Sequence, residues 1–226
     1  MLRMPDVPVG AVLVLHGGRS EDTRAPGRVN APGLRMRPFG TALLRATRDQ
    51  GVAVAEARYR RRGWNGGRAD AAVDAAAALD RLAARTGGAP AVLLGHSMGG
   101  RAALRAAGRP GVAGVVALAP WCPPGEPVAH LAGRSLVFAH AEGDRVTSPA
   151  DALRMAAEAR AAGALVCRYV LSGGDHTMLR RARDWHRLAV LGVCGLLGVG
   201  PLPDAAAEAF ALPPDDASGG LALPFP

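Results

Sequence analysis

Six short apolar runs alternate along this chain with five longer segments of helical pattern, and no other feature limits the fold as much. Runs of Val and Leu bounded by turn residues are typical of strands buried on both faces of a parallel sheet. We predict strands at Ala11–His16, Val52–Ala57, Ala91–Gly95, Gly114–Ala119, Ser135–His140 and Leu165–Leu171, and helices at Phe39–Gln50, Arg68–Arg85, Met98–Ala107, Pro149–Ala162 and Thr177–Leu197. This order predicts an α/β fold with a doubly wound, mostly parallel sheet of about six strands flanked by helices.

The chain is 226 residues long, which suits one α/β domain with a well-buried core. We assign that domain to residues 1–200. The remaining residues, 201–226, are rich in Pro, Ala and Gly and show neither a helical nor a strand period. We therefore expect a flexible extension or a strap over the surface there, and we assign it no chemistry.

A net charge of +8 suggests a nucleic-acid partner, but the distribution of the charge argues against one. Every basic residue is Arg, which together with abundant Ala, Gly and Pro is the bias of a GC-rich genome. The arginines are scattered along the predicted helices, whereas nucleic-acid binding usually shows a concentrated basic stripe or a recognised module. We expect no nucleic-acid partner.

The cysteines and the apolar segments indicate the compartment. Cys122, Cys167 and Cys194 form no Cys-x-x-Cys pair, and an odd number argues against a disulfide framework. The N-terminal residues lack the pattern of a cleaved signal peptide, and the apolar run 188–200 is too short to span a bilayer. We expect a cytoplasmic protein without a membrane partner.

The motif Gly95-His96-Ser97-Met98-Gly99 lies between the third predicted strand and the third predicted helix. A serine on a sharp strand-to-helix turn has strained backbone angles, and glycines two residues to either side remove β-carbons that would collide. The helix that follows points its N-terminus at the serine and favours negative charge there. We predict that Ser97 is a nucleophile.

A serine nucleophile needs a base, and the base needs an acid that holds its tautomer. Of six histidines, we favour His176, because a glycine turn after the last predicted strand carries it over the strand ends. Asp144 follows the fifth predicted strand. A serine on a sharp strand-to-helix turn is called a nucleophile elbow, and folds with this elbow have the chain order Ser, acid, His. Glu142 is its nearest competitor, and Asp175 is a weaker one because it adjoins His176.

When a serine attacks a carbonyl group, the carbonyl oxygen becomes an oxyanion, and two backbone N–H groups are needed to bind it. One is expected to be the amide of Met98, directly after the nucleophile, and the other the amide of Gly18 in the turn after the first strand. No Cys/His cluster has ligand spacing and no phosphate-cradling glycine motif is present, so we expect neither a metal nor a cofactor.

Over residues 8–198 the chain resembles the α/β-hydrolase fold family. The resemblance is carried by four motifs, His16-Gly17-Gly18, Gly95-His96-Ser97-Met98-Gly99-Gly100, Gly143-Asp144-Arg145-Val146 and Gly174-Asp175-His176. It implies Ser97 as nucleophile, Asp144 as acid and His176 as base. Serine at the elbow departs from the dehalogenase and epoxide hydrolase branches, which have aspartate, and from the small dienelactone hydrolases, which have cysteine. The segment after Ala119 is too short for a large cap domain.

Without a cap, the site is expected to be open to a small acyl substrate. We predict substrate-binding residues at Arg19, Trp64 and Trp121, with Met98 and Cys122 completing the wall. Arginines dominate residues 58–62, which form either an anion site near the mouth or a solvated charge run; we favour the charge run.

These residues predict a serine hydrolase that cleaves a carboxylic ester or thioester through an acyl-enzyme on Ser97. An acyltransferase or cyclase would use the same three residues with a different acceptor. A non-catalytic binding protein on this scaffold is a third hypothesis, but the intact Ser, Asp and His set argues against it. The sequence does not indicate an oligomeric state.

Overall fold

Seven parallel strands form a single sheet in the computed structural model, which describes residues 2–27 and 29–225. The strands are β1 (Gly10–Leu15), β2 (Val52–Glu56), β3 (Ala91–His96), β4 (Val112–Leu118), β5 (Ser135–Ala141), β6 (Leu165–Leu171) and β7 (Leu223–Pro224). Their order across the sheet is β2-β1-β3-β4-β5-β6-β7. The predicted α/β fold with a doubly wound parallel sheet is confirmed.

Helices cover both faces of the sheet. They are α1 (Ala31–Ala46), α2 (Asp70–Thr86), α3 (Met98–Ala106), α4 (Pro149–Ala161), α5 (Ala182–Leu197) and α6 (Asp204–Phe210). Side chains of α2, α3 and α4 form one buried cluster with residues such as Leu13 and Leu93, whereas α1, α5 and α6 form the other with residues such as Val12 and Val92. Consecutive residues of one strand thus point to opposite clusters, as the pleat of a sheet requires.

The first six strands agree with the predicted ones to within two residues at each end, but two helices begin elsewhere. Helix α1 begins eight residues before the predicted start, because Pro32 fits its first turn and buried Met36 continues the apolar face that Phe39 and Leu43 form. Helix α5 begins five residues later than predicted, since Arg181 takes a left-handed conformation with φ 58° directly before it.

The tail, expected to be a flexible extension or a strap over the surface, contains a helix and a short strand. Helix α6 packs against β6, and β7 extends the sheet by pairing Leu223 with Tyr169. The ring of Phe225 packs edge to face on Tyr169 with a centroid distance of 5.5 Å. Contacts with β6 thus stabilise a segment too short and too rich in proline to show a period of its own.

The order of the strands places the functional motifs together. The chain leaves β1 toward β2 on one side and returns to β3 on the other, so a crevice opens between the carboxyl ends of β1 and β3. The loop of Gly17 and Gly18 follows β1, and Ser97 follows β3. The segment 119–134 between β4 and β5 contains only a short 3-10 turn at Ala129–Leu131, so no cap domain is inserted there.

Candidate active site

Ser97 occupies a sharp turn between β3 and α3. Its φ of 55° and ψ of −121° are strained for a residue with a side chain. The Ser97 amide donates to the carbonyl of Leu118 at the end of β4, at 3.0 Å. Its carbonyl accepts from the amides of Arg101 and Trp121, at 3.2 and 3.1 Å. Bonds to β4, to α3 and to the segment after β4 therefore hold the strained turn in place.

Gly95 and Gly99 leave room for this turn. A β-carbon on Gly95 would lie 2.3 Å from the carbonyl oxygen of Gly99. A β-carbon on Gly99 would lie 2.3 Å from the carbonyl oxygen of Leu15 in β1. Both distances are far inside van der Waals contact, so the predicted steric reason for the two glycines is confirmed.

The loop after β1 passes directly beside Ser97. A β-carbon on Gly17 would lie 3.3 Å from the β-carbon of Ser97, and one on Gly18 would overlap the Met98 side chain. Met98 is the first residue of α3, so its amide has no carbonyl acceptor within the helix. The structure thus brings Gly18 and Met98 together next to Ser97, and their role as oxyanion donors remains a prediction.

Asp144 and His176 are hydrogen-bonded to each other. His176 Nδ1 lies 2.8 Å from Asp144 Oδ2, in the loops that follow β6 and β5. The other carboxylate oxygen of Asp144 accepts from the amides of Val146 and Thr147, at 2.8 and 3.0 Å. Because a carboxylate only accepts, Nδ1 of His176 donates in this bond, so the lone pair of the neutral ring lies on Nε2.

The environment of Asp144 keeps it ionised. Burial alone would raise the pKa of its carboxyl group, but hydrogen bonds from His140, His176 and two backbone amides outweigh burial and hold that pKa well below its usual range. The negative charge of Asp144 is therefore present at every pH at which the protein is expected to work.

Ser97 follows β3 and His176 follows β6, and the two residues are linked through His96. Within the residues that the structure describes, no hydrogen bond joins the Ser97 hydroxyl to the His176 ring. The ring of His176 instead lies against that of His96, with centroids 4.9 Å apart. Hydrogen bonds between nucleophile and base are often long before substrate binds and shorten in the complex.

The competing acids have other partners or none. Glu142 is exposed and makes no side-chain hydrogen bond among the described residues. Asp175 accepts from the hydroxyl of Thr177 at 2.7 Å and from the amide of Leu179 at 3.0 Å, and so organises the turn before α5. Of the three candidates, Asp144 alone contacts His176.

Three side chains near this pair are absent from the sequence predictions as site residues. The hydroxyl of Thr147 lies 2.9 Å from Asp144 Oδ2, and buried His140 places Nε2 3.1 Å from the same oxygen. His96 places its Nε2 2.9 Å from the carbonyl of His176. The three-residue spacing of Asp144 and Thr147 is typical of a turn and could have indicated Thr147 as a site residue. No local sequence pattern indicates His96 or His140 as site residues.

The predicted wall residues are only partly at the surface. Trp64 is 2% exposed and packs edge to face against Trp121, with the guanidinium of Arg101 over both rings. Cation–π and core contacts thus use the faces of the Trp64 ring, and its role as a substrate-binding residue stays a prediction. Trp121 is partly buried, and its backbone amide donates to the carbonyl of Ser97.

Two further predicted wall residues differ in exposure. Arg19 is exposed, and its Nε lies 3.9 Å from Oδ2 of Asp22. Cys122 is buried, which raises the pKa of its thiol far above its usual range.

The arginine run after β2 has structural partners. Arg60 forms an ion pair with Asp74 at 2.6 Å. Arg61 and Arg62 donate to the carbonyls of Thr23 and Ala25, at 2.7 and 3.0 Å, and so hold the loop after β1. These three side chains therefore form neither a free anion site nor a fully solvated run.

A cavity of about 410 Å³ opens beside the loop after β1. Its lining combines apolar residues such as Leu34 and Met36 with His16, Asn30 and Glu56. Burial lowers the pKa of His16, so this ring is neutral, and its Nε2 accepts from the side-chain amide of Asn30 at 3.1 Å.

A second cavity of about 270 Å³ is lined by Gly17 and Gly18. It shares four residues with the first cavity, His16, Pro26, Gly27 and Asn30. The two cavities are therefore adjacent, and Gly17, which lines the second, lies beside Ser97.

The described part of the chain has neither a metal-binding cluster nor a membrane-spanning helix. Over residues 2–27 and 29–225, no group of three or more His, Cys, Asp and Glu side chains is arranged to hold a metal ion. In the same residues, no helix combines the length and the apolar character needed to cross a membrane.

Comparison with known proteins identifies the fold. The family model described as serine aminopeptidase, S33, matches residues 49–137. A putative α/β hydrolase from Agrobacterium tumefaciens is 18% identical, with a TM-score of 0.65 over 89% of this chain and 92% of that one. A thermophilic esterase from Thermogutta terrifontis, solved with butyrate, is 15% identical, with a TM-score of 0.63 over 88% of each chain. An α/β serine hydrolase without lid from Xanthomonas campestris is 19% identical, with a TM-score of 0.58 over 84% of this chain and 83% of that one. No curated protein matches the sequence.

Proposed function

We propose that this chain, whose fold is that of the α/β hydrolases, is a serine hydrolase that forms an acyl-enzyme on Ser97. The observation that carries the proposal is the hydrogen bond of 2.8 Å between His176 and Asp144, on loops adjoining a strained elbow serine. A buried, ionised acid on one nitrogen of a histidine leaves the other nitrogen free to accept a proton.

In the proposed reaction, Nε2 of His176 takes the proton of the Ser97 hydroxyl as its oxygen attacks a carbonyl carbon. The negative charge of Asp144 stabilises the imidazolium that forms. The amides of Met98 and Gly18 bind the oxyanion, and each such donor contributes roughly 2.7–4 kcal/mol. His176 then protonates the leaving group, and water releases the acyl group by the same steps.

For the substrate we propose a small-molecule ester or thioester. The cavities beside the loop after β1 support this, since cavities of about 300–1,000 Å³ with a few polar groups are typical of small-molecule sites. Their lining residues His16 and Asn30 are proposed to contact the substrate, together with Arg19 at the rim. The three cysteines are free and buried, which fits the cytosol that we propose as the compartment.

The test is covalent labelling of Ser97 by a fluorophosphonate probe, combined with a substrate screen. We expect wild-type protein to be labelled and to cleave esters or thioesters of graded chain length, and Ser97→Ala to lose both properties. Loss of the serine typically lowers kcat by about 10⁶-fold. Aminoacyl amides belong in the screen because the matching family model is described as an aminopeptidase.

Ser148→Ala is the matched control. Ser148 caps α4 by accepting from the amide of Asp151 at 3.1 Å, so its loss should cost about 1 kcal/mol of stability while labelling stays at the wild-type level. Wild-type protein that is neither labelled nor active would refute the proposal, and so would full activity in Ser97→Ala.

A further inference from the structure

His96, the residue before the elbow serine, reaches across the site to the loop of His176. Its side chain is 1% exposed, and its Nε2 lies 2.9 Å from the backbone carbonyl oxygen of His176. The two residues are 80 positions apart in the chain, so this bond joins the end of β3 to the loop after β6.

The partners of the His96 ring define its tautomer. A carbonyl oxygen only accepts, so Nε2 of His96 carries the proton and donates it. Nδ1 is buried without a partner among the described residues, and a β-carbon on Gly17 would lie 3.3 Å from it. Burial, with a smaller contribution from neighbouring His176, lowers the pKa of His96 to about 3. The ring is therefore neutral near pH 7 and serves as a hydrogen-bond donor, not as a base.

The loop that carries His176, between β6 and α5, is partly exposed. Gly173 and Met178 have φ of 70° and 60°, and Leu179 is 73% exposed. The side chain of His176 is held by Asp144, but that bond alone lets the ring move with its backbone. The bond from His96 restrains the backbone of the same residue.

We propose that His96 is a positioning residue, which holds the backbone of His176 so that its Nε2 faces the Ser97 hydroxyl. The inference rests on the proposed serine hydrolase reaction. In this role His96 links the positions of nucleophile and base, because Ser97 is the next residue in the chain and the carbonyl of His176 is hydrogen-bonded to the His96 ring. The competing role is that of a core residue that only fills space.

His96→Leu keeps an apolar side chain of similar bulk and removes the donor, whereas His96→Gln keeps an N–H group of similar reach. His130 offers the matched control, since its Nε2 lies 2.9 Å from the carbonyl of Leu104, away from Ser97. The experiment measures kcat and KM on the best ester from the screen, together with amide hydrogen exchange of residues 172–178. All four variants, His96→Leu, His96→Gln, His130→Leu and His130→Gln, are compared with wild type.

We expect His96→Leu to lower kcat about 10- to 100-fold with KM nearly unchanged, because a small displacement of a catalytic group costs this much. Exchange of residues 172–178 should accelerate, and His96→Gln should recover most of both losses. The His130 variants should leave kcat and this exchange at wild-type values. Wild-type kcat and exchange in His96→Leu would overturn the proposal, and so would equal losses of kcat in the Leu and Gln variants with unchanged exchange.

Nitrogen NMR of the wild-type side chains keeps the proposal testable if His96→Leu does not fold. We expect a neutral His96 with its proton on Nε2 from pH 5 to 8, and a proton on Nδ1 would contradict the bond. The exchange and NMR results do not depend on turnover. If the wild type proves inactive and unlabelled, the proposed function fails while the bond from His96 is still tested.

Discussion

Asp144 has more hydrogen-bond donors around its carboxylate than the single bond to a base would require. Amides of Val146 and Thr147 contact one oxygen, and the other faces His140, Thr147 and His176. The Thr147 hydroxyl also lies 3.2 Å from the carbonyl of Ala119 at the end of β4. A carboxylate held from so many sides can rotate little, so it fixes the ring of His176 as well as its tautomer.

We expect Asp144→Asn to lower kcat by about 10⁴-fold. An amide in this place would present N–H groups to surrounding donors and would favour the wrong tautomer of His176. Steady-state hydrolysis of the best substrate measures the change, with near-ultraviolet circular dichroism to verify folding. The control is Glu142→Gln, which neutralises the exposed competing acid and should leave kcat within about twofold of wild type. A larger loss in Glu142→Gln than in Asp144→Asn would move the role to Glu142.

At the scale of secondary-structure elements, two buried arginines tie the tail to the domain. Arg160 in α4 donates to the carbonyl of Val166 at 2.6 Å and to that of Gly219 at 2.5 Å. Arg168 in β6 donates to the carbonyl of Leu221 at 2.9 Å. Because both guanidinium groups are buried, the tail carbonyls replace the water that such charges need.

Deletion of residues 201–226 should therefore lower the free energy of unfolding by at least about 3 kcal/mol, since it removes the carbonyls that these guanidinium groups bind and exposes the apolar surface that the tail covers. Urea denaturation followed by circular dichroism measures the change. Phe225→Ala removes only the ring that packs on Tyr169 and should cost less, about 2 kcal/mol for the lost burial of that ring. Asp215→Asn, at an exposed position of the tail, is the control and should shift stability by under about 0.5 kcal/mol. A deletion variant as stable as wild type would show that the tail is a dispensable extension.

At the scale of the whole molecule, buried histidines and a buried carboxylate make stability depend on pH. Burial lowers the pKa of His96 to about 3, and it also lowers the pKa values of His16 and His186. The unfolded chain has ordinary values, about 6.5 for His and 3.9 for Asp. Below about pH 6.5 the unfolded chain therefore binds protons that the folded protein does not, and acid favours unfolding.

We expect the free energy of unfolding to be nearly constant above pH 7 and to decrease from there as the pH falls. Each proton bound only by the unfolded state contributes up to about 1.4 kcal/mol per pH unit. Asp144, whose pKa is also lowered, adds its own loss below about pH 4. Urea denaturation from pH 4.5 to 8 measures the curve, and His96→Gln should have a shallower slope between pH 5 and 6.5. Stability that rises toward acid would contradict the burial of these neutral rings.

The sequence by itself determined the parallel sheet, the elbow turn and the order of Ser97, Asp144 and His176 at successive strand ends. These features depend on local periods and on glycines at short spacing, which a linear pattern records. Only the tertiary structure decided that Trp64 is a core residue, that Arg61 and Arg62 hold a loop, and that the tail adds a strand. It also decided that His96 donates to His176 across 80 residues of chain. Such contacts depend on which strands become neighbours and how loops cross their ends, and no local period encodes either.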